Sequence, residues 1–173
     1  QKDGVTKTLL TLIAKKGYDS LVSLFRNLNE NGDTLLHLAV EYDYYQGLEI
    51  LLEYCPEDHI MTLNKDGQSS LHCSCQQERT RCTQALLRYT STKEWLQEDS
   101  NEKTPLELAI EQGNIPVSVA MLERIPQENL PIYKRGDDMI EKTLQHLQQK
   151  EDLDEKQHAN YQHILKKYKE TLQ

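Results

Sequence analysis

The chain is short of most features that would announce a chemistry. No apolar run approaches the ~20 residues needed to cross a bilayer, and no basic, apolar, small-residue series opens the chain as a signal peptide would. Gln1 stands first instead of Met, so the sequence reads as an excised or processed piece with any targeting signal outside it. There is no phosphate-cradling glycine loop, no dinucleotide fingerprint, no His-Glu-x-x-His and no nucleophile elbow. Carboxylates are plentiful, but no spacing picks out an acid/base pair. An enzyme is therefore not expected, nor any cofactor. Basic residues are in deficit, 20 Lys+Arg against 28 Asp+Glu, for a net charge of −8. Phosphate backbones and anionic lipid surfaces repel such a chain, so neither nucleic acid nor membrane is an expected partner.

Apolar residues are also scarce, at 37%, and mean hydropathy is −0.74. That is lean for one deep core and suits a thin, elongated architecture across 173 residues. The four cysteines, Cys55, Cys73, Cys75 and Cys82, fall inside helical patterns and make no disulfide framework. They point to a reducing compartment, cytoplasmic or nuclear.

What the chain does have is a repeat. Residues 8–17 (TLLTLIAKKG), 34–43 (TLLHLAVEYD), 69–78 (SSLHCSCQQE) and 104–113 (TPLELAIEQG) align without gaps, with starts separated by 26, 35 and 35 residues. Each is followed by a second apolar stripe: Leu21, Val22, Leu24 and Phe25; Leu48, Ile50, Leu51 and Leu52; Cys82, Ala85, Leu86 and Leu87; Val117, Val119, Ala120, Met121 and Leu122. Spacings of three and four place these apolar residues on one helical face. Thr or Ser at the first position caps a helix by accepting from a free backbone N–H, and Pro105 sits at the first helical position, where its missing N–H does no harm. Gly17 and Gly113 permit the turn out of the first helix, and Gly32 and Gly67 the positive φ of a tight turn before the next repeat.

These residues resemble the ankyrin-repeat family, whose signature is T-P-L-H-x-A in a unit of about 33 residues. Residues 34–39 (TLLHLA) and 104–109 (TPLELA) carry it best, with lead-in turns at 29–34 (NENGDT) and 64–69 (NKDGQS). The resemblance spans roughly residues 8–125. It implies an all-α fold: an ankyrin-repeat solenoid of about four irregular repeats over residues 1–126, followed by a C-terminal helical extension or cap over 127–173. The departures are local. The first repeat is compressed and has Thr11 for His, the third has Ser74 and Cys75 for Ala-Ala, and the fourth has Glu107 for His and Glu102 for the turn glycine. Residues 30–40 (ENGDTLLHLAV) also look like the opening repeat of inhibitor-of-NF-κB proteins. Against that narrower likeness, only about four repeats are visible and another precedes this one.

Pro126, Pro131 and Gly136 break helix after the array. Met139, Ile140, Leu144 and Leu147, then Tyr161, Ile164, Leu165, Tyr168 and Leu172, form two helical stripes. They read as a cap over the open end, or as a surface for self-association through residues 137–172. His37 and His72 share one repeat position, where the family's histidine steadies the turn. A metal reading of His72, Cys73 and Cys75, with Cys82, lacks the second matched pair of a zinc site. Cys75 and Cys82 fit better as small buried hydrophobes, with Cys73 partly exposed. His146, His158 and His163 fall among Gln, Glu and Lys on a solvated face.

The resemblance implies a non-catalytic module that binds a protein partner, in signalling or scaffolding, on a concave surface of turn tips and first helices. Carried over by position, that surface includes Lys15 and Lys16; Glu30, Asn31, Asp33, Glu41 and Tyr42; Lys65, Asp66, Gln68, Gln76 and Gln77; and Ser100, Asn101, Lys103, Glu111 and Gln112. Many of these are also what any solvated face would carry. Tyr42 is the expected anchor, since aromatics beside a charged rim dominate interfaces. Of Tyr42, Tyr44 and Tyr45, at least one is expected to pack against the neighbouring repeat. Acids near repeat two suit a partner segment carrying basic residues.

Overall fold

The computed structural model describes residues 18–125 and the helical positions 155, 159, 162, 163 and 166. The first helix of repeat one, Lys15 and Lys16, Gly17, residues 127–154, the proposed self-association stripes, His146 and His158 lie outside the described residues.

Within 18–125 the elements are α1 Tyr18–Arg26, α2 Leu35–Glu41, α3 Tyr45–Tyr54, α4 Glu57–Ile60, α5 Ser70–Gln76, α6 Thr80–Leu86, a 3-10 turn Glu94–Leu96, α7 Pro105–Glu111 and α8 Ile115–Leu122. No strand occurs among the described residues, and none of their helices is long and apolar enough to cross a membrane. Helices α2, α5 and α7 stack as one layer, and α3, α6 and α8 as a second against it. One apolar seam runs between the layers from Phe25 through Val40, Leu48, Leu71, Leu86 and Ile110 to Met121. Helices this short are marginal alone in water. The seam holds them, each fully buried side chain contributing roughly 1.5–3 kcal/mol. This is the ankyrin-repeat solenoid the sequence implies.

The three described first helices start in the same way. Thr34, Ser69 and Thr104 sit in extended backbone, and their hydroxyls accept from the backbone N–H three residues on. The residue at that third position, His37, His72 or Glu107, reaches back to the cap's own N–H and closes the box. Each first helix also ends in the same way. Asp43 (φ 49°), Glu78 (φ 58°) and Gly113 (φ 71°) take the left-handed turn. The next N–H then folds back, from Tyr44 to Ala39 O at 2.8 Å, Arg79 to Ser74 O at 2.9 Å and Asn114 to Ala109 O at 2.8 Å. Only one of these three exits uses glycine.

The 35-residue period leaves extra chain between the second helix and the next repeat. Ile60 of α4 and Trp95 of the 3-10 turn, 35 residues apart, close this gap from equivalent places. Trp95 is 0% exposed. Its indole N–H donates to Thr90 Oγ1 at 2.9 Å, which satisfies the buried donor. The Arg124 guanidinium lies 5.0 Å from its ring centroid. Ser74, where the family has Ala, is buried because its hydroxyl donates to Leu71 O at 2.9 Å and accepts from Thr83 at 3.0 Å. Cys73 is buried too, correcting the expectation of partial exposure.

Candidate partner-binding surface

Three loops precede the first helices, and each is built on one side chain. Asn29 Oδ1 accepts from the N–H groups of Asn31 and Asp33, Asn64 Oδ1 from Asp66 and Gln68, and Asp99 Oδ1 from Asn101 and Lys103, all at 2.8–3.0 Å. Within each turn Gly32, Gly67 or Glu102 takes positive φ. At Gly67 an added Cβ would lie 2.7 Å from Ser100 Oγ and 2.9 Å from its N, so the close approach of the next loop also demands glycine. The loops join: Lys65 N donates to Asn31 O at 3.0 Å and Ser100 N to Asp66 O at 3.1 Å. The tips thus form one continuous strip.

The two histidines tie this strip to the helices. His37 Nε2 lies 2.9 Å from Gln68 O, and His72 Nε2 lies 2.8 Å from Gln97 O. A carbonyl only accepts, so each Nε2 carries the proton and each Nδ1 is left to accept, at 3.2 Å from the N–H of Thr34 or Ser69. Burial pulls both histidines' pKa values below the ordinary 6.5, opposed by these carbonyls and by Asp33 or Asp99 nearby. The histidines are neutral struts. With both nitrogens of His72 engaged, it offers no lone pair to a metal. Burial pushes the thiols of Cys55, Cys73, Cys75 and Cys82 up to about 12, away from the thiolate that metals and electrophiles need. Cys73 faces Gln68 Oε1 at 3.6 Å and Cys82 faces Asp43 at 3.7 Å. Among the described residues no three potential ligands converge.

In repeats three and four residues eight apart pair with each other, one on the loop and one at the end of the first helix. In repeat four Lys103 Nζ pairs with Glu111. In repeat three Gln68 Nε2 donates to Gln76 Oε1 at 3.2 Å. In repeat two the same positions hold two acids, Asp33 and Glu41. Asp33 is held by Asn29 and Asn64, at 3.1 and 3.0 Å, and Glu41 is exposed. Tyr42 follows at 75% exposure.

Glu30, Asn31, Lys65, Asp66, Ser100 and Asn101 are exposed on the tips, and Gln76, Gln77 and Gln112 at the helix ends. Asp33, Lys103 and Glu111 are half-buried. Gln68 differs from its expected place on the rim: it is 8% exposed, with its amide also donating to Asp99 Oδ2 at 2.8 Å. Burial pushes the Asp99 carboxyl up, but hydrogen bonds from Gln68, Lys103 and Asn101 outweigh it and hold the group below the carboxylate range. Tyr44 and Tyr45 are half-buried, the Tyr44 ring lying where a Cβ on Gly47 would stand. The sequence reading missed Arg79, which bridges repeats by donating to Glu41 O at 3.4 Å and lying 3.9 Å from Asp43. No local pattern signals that contact.

Residues 31–61 match the Ankyrin repeat family. Over 111 residues the chain is 28% identical to the nuclear factor NF-kappa-B p110 subunit of Drosophila melanogaster, a match that covers 60% of this chain and 11% of that protein. It also resembles the solved ankyrin repeat domain of Bcl-3, described as a unique member of the IkappaB protein family. The TM-score is 0.58 at 20% identity, covering 81% of this chain and 64% of that one. The chain spans about a tenth of the fly protein and just under two thirds of the Bcl-3 domain, and the latter likeness carries the fold.

Proposed function

We propose that this ankyrin-repeat solenoid is a non-catalytic recognition module that holds a basic segment of a partner protein against repeat two. The observation that carries the reading is the break in self-pairing across the groove. Repeats three and four satisfy their facing side chains internally, as Gln68 with Gln76 and Lys103 with Glu111. At the equivalent positions repeat two carries two acids, Asp33, held by Asn29 and Asn64, and the exposed Glu41, with Tyr42 in solvent next to it. Two acids at these positions suit a guanidinium or ammonium, and an exposed tyrosine supplies rigid apolar area at little entropic cost. His37 and His72 are consumed by the scaffold, which supports a binding role over a catalytic one.

The comparisons favour a narrower form of the same reading, regulation of a transcription factor as an inhibitor-of-NF-κB-like protein, in cytoplasm or nucleus. The test is affinity capture from cell extract with mass spectrometry, comparing the chain with a Tyr42→Ala, Glu41→Ala, Gln76→Ala variant. A partner lost in the variant supports the concave face, and its identity decides the narrower reading. A partner retained at full yield would remove the site from this face.

A further inference from the structure

The outer layer carries a chemistry opposite to that of the groove. The chain is acidic, yet residues 76–93 hold four basic residues, Arg79, Arg81, Arg88 and Lys93, against one acid, Glu78. Arg81, Gln84 and Arg88 fall at spacings of three and four along α6 and its end, so they share one exposed face. With Tyr45 of α3 they line a cleft of about 410 Å³ between the outer helices of repeats two and three. That volume lies within the range of ordinary ligand pockets.

The cleft already holds one carboxylate. Arg88 Nη2 pairs with Glu49 of α3, and Tyr45 hydrogen-bonds the same carboxylate. Arg88 hydrogen-bonds Tyr45 as well as Glu49, and a guanidinium has five N–H donors, so others remain. Arg81 makes no hydrogen bond or ion pair among the described residues, and Gln84 is exposed beside it. Beyond Arg88 the surface changes sign, with Glu53, Glu57 and Glu94 around a second hollow. Repeat architecture does not require these arginines. The positions equivalent to Arg81 are Gln46 and Pro116, and those equivalent to Arg88 are Glu53 and Glu123.

We propose that this cleft is a second docking site, one that takes an acidic extended segment of a protein partner. Seven residues of helix separate Arg81 from Arg88 by roughly 10 Å. Two carboxylates three residues apart on an extended segment of the polyproline-II kind lie on one face and span about the same distance. One carboxylate sits on Arg81 with Gln84 as a further donor, and the other shares Arg88 with Glu49. Charge complementarity sets the direction of the segment, since the acid-lined hollow past Arg88 refuses more negative charge. The groove and the cleft occupy different layers, so the chain can hold a basic partner and an acidic one together.

The experiment uses the full 173-residue chain and a decapeptide with two glutamates three residues apart, carrying a neutral dye, followed by fluorescence anisotropy at low salt. The peptide is expected to bind, and its glutamine counterpart to bind on the order of tenfold more weakly. Arg81→Glu is expected to weaken the glutamate peptide by a similar factor with the melting temperature unchanged, because the side chain holds nothing in the fold. A Glu41→Ala, Tyr42→Ala variant is expected to bind as the parent does, whatever the fate of the concave reading. Three results would overturn the proposal: no binding of the glutamate peptide, equal binding by Arg81→Glu, or displacement by inorganic phosphate as effective as by unlabelled peptide at matched ionic strength.

Discussion

Repeats two and four share a backbone and differ in what they show the solvent. Both start on a threonine box, turn through a left-handed residue and fold the next N–H back onto the helix. At the groove, repeat four closes Lys103 onto Glu111, while repeat two has acids at both positions, Asp33 and Glu41, followed by Tyr42. The difference teaches which positions the fold dictates and which it leaves to recognition. Cap, turn and seam residues recur because geometry allows few alternatives. Groove positions vary because the backbone tolerates acid, amide or base there equally.

The comparison can be broken hardest at the inter-repeat gap. Trp95→Ala should cost about 3–5 kcal/mol and Ile60→Ala about 2–5, with the tryptophan the larger because its indole also bonds Thr90 and stacks under Arg124. Urea unfolding midpoints check the order, and equal costs would mean that the Thr90 bond and the Arg124 contact add nothing to stability.

Next are the loop turns, where two neighbouring repeats should respond with opposite sign. Gly67→Ala meets both a positive φ and Ser100, and should destabilise by about 1–3 kcal/mol. Glu102→Gly removes the strain of a non-glycine residue at φ 60°, and should stabilise by a few tenths to about 1 kcal/mol. Paired thermal melts read both; the same sign for both would contradict the equivalence of these turns.

A smaller effect separates repeats two and three from repeat four by pH. Burial lowers the pKa of His37 and His72, so in the folded chain they stay neutral where the unfolded chain protonates. The unfolded state then binds more protons, and stability is full above pH about 6.5 and is lost as pH falls below it. Repeat four has Glu107 in place of a histidine at this position. A His37→Gln, His72→Gln variant, followed by urea midpoints at pH 7.5 and 5.5, should show a smaller drop than the parent; an undiminished drop would assign the pH dependence to other groups.

How much of this was legible depended on the range of each contact. The threonine and serine caps and the turns at Gly32 and Gly67 are written within a few residues, and the sequence showed them; the role of the histidines came from the resemblance, since their carbonyl partners lie 31 and 25 residues on. Gln68 was expected on the rim because its partner Asp99 lies 31 residues on, in the next repeat. Trp95 and Ile60 escaped notice because they lie in linkers, off both apolar stripes. Asp43, Glu78 and Glu102 take left-handed turns where a glycine would have announced them. The groove residues were placed by resemblance, and the contrast between Asp33 with Glu41 and Lys103 with Glu111 became visible only when residues eight apart were seen to pair in repeats three and four.

The most direct measurement is the yield of partner captured by Glu41→Lys, which gives repeat two an internal ion pair with Asp33 like that of repeat four. Glu41 is exposed, so the melting temperature should not move. The account predicts that captured partner falls on the order of tenfold or more, because the place for its cation is filled and a like charge now opposes it. Undiminished capture by a variant that melts like the parent would contradict the claim that repeat two recognises through its acids.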